Sequence, residues 1–505
     1  MKVERKAKRN VLDLISLFFI AAIYFITISK HLVTGDSKEL SATAAAIGIA
    51  HPTGYSIYVI LGHLFYKVFG FLEPEFLFNL FSLVTTISAL YLLNESLRYF
   101  FVTPFVRSIT IITYALTTSI WQYAVTAEVY ALNHLFFAAV FFFVTRASKA
   151  EVKTEFLRNA QAAFFLGGMS LGAHMTSGVL LPALVFWYFL TSKQHSLRSY
   201  TQIASLLGCY ALGSTVLLIP LYLDGRSRLN YLEYTYFQFP KNLSSLTSKQ
   251  RWWWLVSGRQ YGAMQVYTIS KDTGEALSKF ETVLYRTFFD NVCLHVLAIS
   301  GILCSYLRVL IKPEVIYLLI PSFSLTFYFS LYLAFEPINT LPVYFLSAVL
   351  CAFFLMYFGP PIQRVVCLGL IIFLPAQVYR TQQEAREYFH PQFDTRVKDF
   401  ISKLPLNSIV YFPAWNDFTE GISQQFLHQQ REDLKLVNIG DLWEGQFKQI
   451  CEEQIDNQFV YSQGDEMLEQ EHCNFESFGT GYKISPKKLR ILSQFPASVP
   501  FKIGT

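Results

Sequence analysis

Apolar residues in this chain fall in long runs separated by short polar or basic turns. Runs near 11–28, 76–93, 108–124, 128–145, 160–175, 177–191, 201–222, 287–307, 314–335, 340–358 and 364–379 each come close to the roughly 17–25 residues that cross a bilayer. The stretch 160–191 divides at a polar hinge, His174 to Ser177. The pattern predicts about eleven transmembrane helices. Gly54–Phe69 is also apolar, but it carries His63 and Lys67, and counting it would invert every later loop, so it reads as an interfacial helix. The first run follows Lys2, Arg5, Lys6, Lys8 and Arg9 and lacks a small-residue cleavage site, the pattern of a retained signal anchor.

Basic residues test this count. With the N-terminus cytoplasmic, alternate turns carry Arg98 and Arg107, then Arg146, Lys149, Lys153 and Arg158, then Lys193 and Arg198, then Arg308 and Lys312, then Arg364. The short turns on the other side, near 125–127, 174–177 and 336–339, contain no Lys or Arg. That asymmetry follows the positive-inside rule. It places three larger segments outside: 30–75, 223–286 and about 380–505. No internal repeat is evident, which argues against inverted-repeat transporters.

Composition excludes an ordinary soluble enzyme. Hydrophobic residues make up 53 % and charged residues 15 %, against about 25 % charged in soluble domains. The 48 Phe and 30 Tyr suit lipid-facing surfaces and interfacial belts. A net charge of +5 with clustered basic turns is a topological signal, not a nucleic-acid footprint. The chain divides into a membrane domain, 1–380, and a polar, Gln-rich extracytoplasmic domain, 381–505. Within the latter, Ser408–Pro413 reads as a strand, Glu420–His428 as a helix and Leu434–Ile439 as a second strand, a small α/β unit. Five of seven cysteines lie in apolar runs; Cys451 and Cys473 lie in the polar region and can pair if it faces an oxidising compartment.

The polar residues gather on the outer side. In the first outer loop, Asp36 and Glu39 open a small-residue helix, three residues apart and able to share a face. The same spacing also fits a capping pair. His51-Pro52 ends that helix, because proline disfavours a helical residue before it, and Tyr55 follows. The second outer turn presents Trp121, Glu128, Tyr130 and Asn133; an ionisable group at a span edge is a functional candidate, although a helix N-terminus also favours a carboxylate. The third presents His174 and Thr176. The long loop carries Trp252, Trp253 and Trp254, then Arg259 and Gln260, an interfacial helix with a polar tip whose guanidinium fits a phosphate.

The run G-D-S-x-E-L, then A-x-x-x-G-I-A-H-P-x-G-Y, then W-x-x-x-V-x-A-E-V-Y-A-L-N resembles one branch of the GT-C glycosyltransferases, whose animal members are transmembrane protein O-mannosyltransferases acting on IPT domains. The likeness covers about residues 30–265, including G-x-x-x-G-A-H-x-T and W-L-V-S-G-R-Q; the last four spans and the terminal domain match loosely. The resemblance implies a GT-C fold and a dolichyl- or undecaprenyl-phosphate sugar donor, mannose being expected. It also implies that Asp36 is the catalytic base. Lys38 stands where a small residue is usual, and its ammonium could pair with Asp36 or meet a donor phosphate.

The chemistry agrees with these residues. Sugar transfer from a phosphate needs a carboxylate to activate the acceptor hydroxyl, and donors on the departing phosphate. A single base opposite the leaving group gives inversion, by analogy with inverting glycosidases. The expected roles are Asp36 as base, Glu39 orienting the acceptor or supporting Asp36, and Arg259, Gln260, His51, His174 and Lys38 around the phosphate and sugar. Tyr55, Trp121, Glu128, Tyr130, Asn133 and Thr176 would line the cavity. No cofactor beyond the lipid-linked donor is expected, and no dense His or carboxylate cluster indicates a metal. The acceptor is expected to be Ser or Thr of a secreted or membrane protein. The membrane would be a bacterial inner membrane, or that of the endoplasmic reticulum in a eukaryote. The rival readings are a non-catalytic binder of lipid-linked sugar and a transporter or flippase.

Overall fold

The structure is a computed structural model; it describes residues 11–33, 35–100, 102–195, 199–234, 246–258, 273–304, 312–330, 340–387, 391–438, 457–461 and 473–486. It is an α-helical bundle with one small mixed sheet near its C-terminal end. The first seven helices are α1 (Val11–Thr27), α2 (Asp36–Ala46), α3 (Ser56–Phe69), α4 (Pro74–Tyr99), α5 (Pro104–Ala115), α6 (Thr118–Ala124) and α7 (Val129–Ser148).

The apolar runs become helices, but several are divided. The run 108–124 breaks between α5 and α6 at Leu116 and Thr117. The run 201–222 passes through a short 3₁₀ segment, Thr215–Leu218, between two α-helical pieces. Phe280–Asp290 and Val292–Leu303 meet at 102°. Among the described residues, three helices are long and apolar enough to cross a membrane (Pro74–Tyr99, Val129–Ser148 and Tyr200–Leu223), or four if the bent pair is one span. Shorter apolar helices account for further runs, including Val11–Thr27, Met175–Thr191, Pro313–Thr326 and Leu341–Tyr357.

The last two runs lie in one helical element, Leu341–Glu387, with Pro360, Pro361 and Pro375 inside it. The expected domain boundary at 380 falls within this element. It is not straight. Gln363 Nε2 donates to the carbonyl of Leu355 at 2.9 Å, whereas eight residues of straight helix rise about 12 Å. The bend therefore falls at Gly359-Pro360-Pro361, where two consecutive prolines lack amide donors and crowd the preceding turn.

The basic turns of Arg107, Lys149 and Lys312 meet near the Phe100 ring. Arg107 grips Asp13 through Nε and Nη2, at 3.3 and 2.5 Å. Lys149 meets Glu314 at 2.9 Å, and both Lys149 and Lys312 lie over the Phe100 ring. At the C-terminal end of α1, the Asn79 amide donates to the carbonyls of Ser29 and His31 and accepts from Ala127 N–H at 2.7 Å. One buried side chain thus ties the ends of α1, α4 and α7 together, satisfying backbone groups that would otherwise be orphaned.

The sheet has order β2-β1-β3-β5-β4, with β1 (Ile409–Phe412), β2 (Lys435–Asn438), β3 (Gln458–Tyr461), β4 (Cys473–Phe478) and β5 (Gly481–Pro486). β1 pairs in parallel with β2 and β3, in register Val410 to Leu436 and Val410 to Phe459, and β4–β5 is an antiparallel hairpin. The helix Trp415–Phe426 is the crossover between β1 and β2, as a parallel pair requires. The small α/β unit is present, its helix beginning five residues before the expected Glu420. Its apolar face does not close on itself alone. Phe412, Phe418, Ile422 and Leu436 belong to one buried cluster with Leu40, Tyr58 and Phe78 of α2, α3 and α4.

Candidate active site

The site grows from α2. Gly35 caps this helix with φ +90°, and its carbonyl accepts from the amides of Lys38 and Glu39 at 3.1 and 3.3 Å. No side chain caps the helix. Asp36 is therefore not engaged as a cap, and its carboxylate is free to point outward. The Asp36 side chain is 50 % exposed, while Glu39, one turn on, is 3 % exposed.

The chain then doubles back. The Ile47 amide bonds to Ala44, and Gly48 to Thr43. Ile49 then pairs with the segment at 229–231, accepting from Tyr231 N–H and donating to the Leu229 carbonyl. A Cβ on Gly48 would stand 2.4 Å from the Leu229 carbonyl oxygen, so only glycine allows this approach. The pairing delivers His51 above α2. Glu39 accepts from the His51 amide at 2.9 Å with one oxygen, and its other oxygen lies 3.0 Å from Nδ1. The far ring nitrogen, Nε2, lies 3.7 Å from Asp36 Oδ2. Burial opposes charge on this imidazole, but Asp36, Glu39 and the more distant Glu128 outweigh it and raise its pKa to about 9. At neutral pH His51 is an imidazolium between two carboxylates.

Tyr55, at φ +36°, begins α3 and stands between two histidines, 4.9 Å from the His51 ring and 6.0 Å from that of His174. His174 Nδ1 lies 2.7 Å from Thr176 Oγ1 and accepts from the Thr176 amide at 3.3 Å. Burial, with His51 nearby, lowers its pKa to about 4, so His174 is neutral and carries its proton on Nε2. It can donate a hydrogen bond to a phosphate or sugar but cannot supply charge. Tyr130 packs on the same ring at 5.4 Å, and Asn133 accepts from Ser177 Oγ at 2.7 Å. Glu128 precedes α7, and its amide donates to Ser82.

Two expectations change. Lys38 is expected beside Asp36 or the donor phosphate; its ammonium is ion-paired with Glu420 of the terminal domain, both side chains being 2 % exposed. A cation buried in a small-residue helix requires a counter-charge, and Glu420 supplies it. Trp121 does not line the site. It is buried in the bundle core, its indole donating to Thr27 Oγ1 at 2.9 Å and its ring beside Tyr24, because α6 turns that face toward α1. Arg259, Gln260 and the Cys451–Cys473 pairing lie outside the described residues. Among the described residues no group of three or more His, Cys, Asp or Glu is arranged to hold a metal.

The main addition that sequence reasoning missed is Trp415. Its indole Nε1 donates to Asp36 Oδ1 at 2.8 Å, and its ring meets those of His51 and Tyr231 at 6.1 Å each. Of the tryptophans, Trp254 is buried with Leu255 beside Ile49 and Tyr231, Trp252 donates to the Leu217 carbonyl at 2.6 Å, and Trp253 is 52 % exposed. Asp224, which binds both Asn230 and Arg251, fixes the base of this loop.

The fold is ArnT-like, of the GT-C kind. Over 93 % of this chain it superposes on 96 % of ArnT from Cupriavidus metallidurans in the apo state, with TM-score 0.57 and 10 % identity. The form of that protein bound to undecaprenyl phosphate gives 0.55 and 11 % identity, over 93 % of this chain and 97 % of that one. Residues 36–197 match the family described as the Protein O-mannosyl-transferase TMEM260 N-terminal domain. The mouse Protein O-mannosyl-transferase TMEM260 is 27 % identical over 174 residues, 33 % of this chain. The Dictyostelium discoideum protein of the same name is 22 % identical over 245 residues, 44 % of this chain. These matches span 24 % and 29 % of the two relatives' lengths. The chain thus has a GT-C-type fold, and its N-terminal third is similar to the O-mannosyl-transferase TMEM260 family.

Proposed function

We propose that this protein transfers a sugar, mannose, from a polyprenyl-phosphate donor to a hydroxyl, Ser or Thr of a protein acceptor, on the extracytoplasmic face. The observation that carries the reading is the half-exposed Asp36 carboxylate, set on buried partners. Glu39 and His51 hold its surroundings from below, and Asp36 alone of the two carboxylates can reach a substrate. Asp36 takes the acceptor proton as the hydroxyl oxygen attacks the anomeric carbon. The bond from that carbon to the phosphate oxygen breaks, and polyprenyl phosphate leaves with the electron pair. Attack opposite the leaving group inverts the anomeric centre. Phosphate is a good leaving group, so no acid is needed; the Nε2–H of His174 and, from the sequence, Arg259 and Gln260 stabilise it. The Lys38–Glu420 pairing supports catalysis over the non-catalytic binder, since it gives Lys38 a carboxylate partner other than Asp36.

The first experiment uses purified protein, radiolabelled polyprenyl-phosphate mannose and a membrane and secreted protein extract, with wild type and Asp36→Asn. Labelled protein from wild type, reduced by about 10²–10⁴-fold in the variant, is expected for a lost general base. Equal labelling by the two proteins would remove Asp36 from the mechanism.

A further inference from the structure

The terminal domain reaches 379 residues back along the chain to touch the carboxylate that opens α2. Two helix beginnings meet there in register. Gly35 and Lys38 lie one turn apart on one, and Asn416 and Glu420 one turn apart on the other. A Cβ on Gly35 would stand 3.1 Å from Asn416 Oδ1 and 3.9 Å from the Trp415 ring, so the missing side chain lets the helices approach. One turn further on, the buried Lys38–Glu420 pair fixes the contact, and Gln424 Nε2 holds the other Glu420 oxygen at 2.7 Å. Trp415 is packed by His51, Tyr231 and Phe418, with ring centroids 5.6–6.1 Å away. Its indole has one polar atom, and that atom is a donor.

We infer that Trp415 is a positioning residue for the Asp36 carboxylate, brought to it by the terminal domain and seated by the Lys38–Glu420 pair. The inference rests on the proposed role of Asp36 as base. An ionised carboxylate offers about four acceptor positions. Trp415 occupies one on Oδ1 and His51 faces Oδ2, which fixes the plane of the group and leaves the remaining lone pairs for the acceptor hydroxyl. Asp36 is thus oriented only while the terminal domain is docked.

Trp415→Phe removes the N–H and keeps the ring packing. With the full-length protein and labelled polyprenyl-phosphate mannose, kcat is expected to fall about tenfold, the value of one hydrogen bond to a charged group, with donor KM and thermal midpoint unchanged. A tryptophan that merely packs would leave kcat unchanged. Glu420→Gln is the second variant. Because it unseats the same indole, adding Trp415→Phe to it should cost little more, a non-additive cycle. Wild-type kcat in Trp415→Phe, or losses that simply multiply, would overturn the inference while leaving Asp36 as base. No transfer by wild type would remove the glycosyltransferase reading, and this inference with it.

Discussion

At the scale of single residues, His51 shows how position decides chemistry. The sequence places it at a helix break near two acids, and its expected role was at the donor phosphate. The fold instead closes the 12-residue turn so that Glu39 binds its amide and faces its ring, leaving Nε2 facing Asp36. Its pKa, near 6.5 in the unfolded chain, rises to about 9. A raised histidine contributes stability fully below the unfolded value and loses it as pH rises through the folded one. His51→Gln, which can still donate to Glu39, should therefore lower the thermal midpoint most near pH 6. The deficit corresponds to about 3 kcal/mol for a shift of that size and should shrink by pH 9–10. A deficit independent of pH would show that His51 acts by packing alone. Asp36, Glu39, His51 and Tyr55 were legible in the sequence because they are close along the chain and converge through one turn.

At the scale of elements, apolar runs and their punctuation carried most of the information. The prolines at 360 and 361 mark a bend, and the polar stretch at His174–Ser177 marks a 3₁₀ break. Less legible were the breaks that tertiary contacts impose inside apolar runs. The turn after Asp290 is an example: its carboxylate accepts from the Ser119 amide and the Tyr344 hydroxyl, and nothing in the local pattern announces those partners. The partner of Lys38 was likewise hidden. A lysine in a small-residue helix signals a buried counter-charge but not which acid supplies it, and Glu420 lies 382 residues away. Glu420→Gln removes the acid from a buried ion pair, which should destabilise the protein by about 3–5 kcal/mol. Replacing both residues with Met removes the charges together and should recover most of that loss in a denaturation midpoint. If the double variant were as unstable as the single one, the ion pair would not be what holds these two helices.

At the scale of the whole molecule, the bundle and the terminal domain share a core, so their stabilities are coupled. Phe418 and Ile422 are buried in the same cluster as Leu40 and Tyr58, and polar contacts ring it. Glu75 faces both His31 and His428 at 3.1 and 3.4 Å, and Arg228 meets Glu432 at 2.7 Å. Groups that share buried contacts open as one cooperative unit. Phe418→Ala would leave a cavity between Phe412 and Trp415 and cost about 3–5 kcal/mol. In hydrogen exchange, protection should then fall together in α2 and in the helix Trp415–Phe426. The C-terminal half of α7, which packs in the main bundle cluster through Phe141 and Val144, should keep its protection. Turnover should fall with α2, because opening that unit withdraws the indole from Asp36 and frees the carboxylate to rotate. If α2 stayed protected while the terminal helix opened, the first outer loop would be set by the membrane bundle alone. The terminal domain would then be an appendage to the site rather than one wall of it.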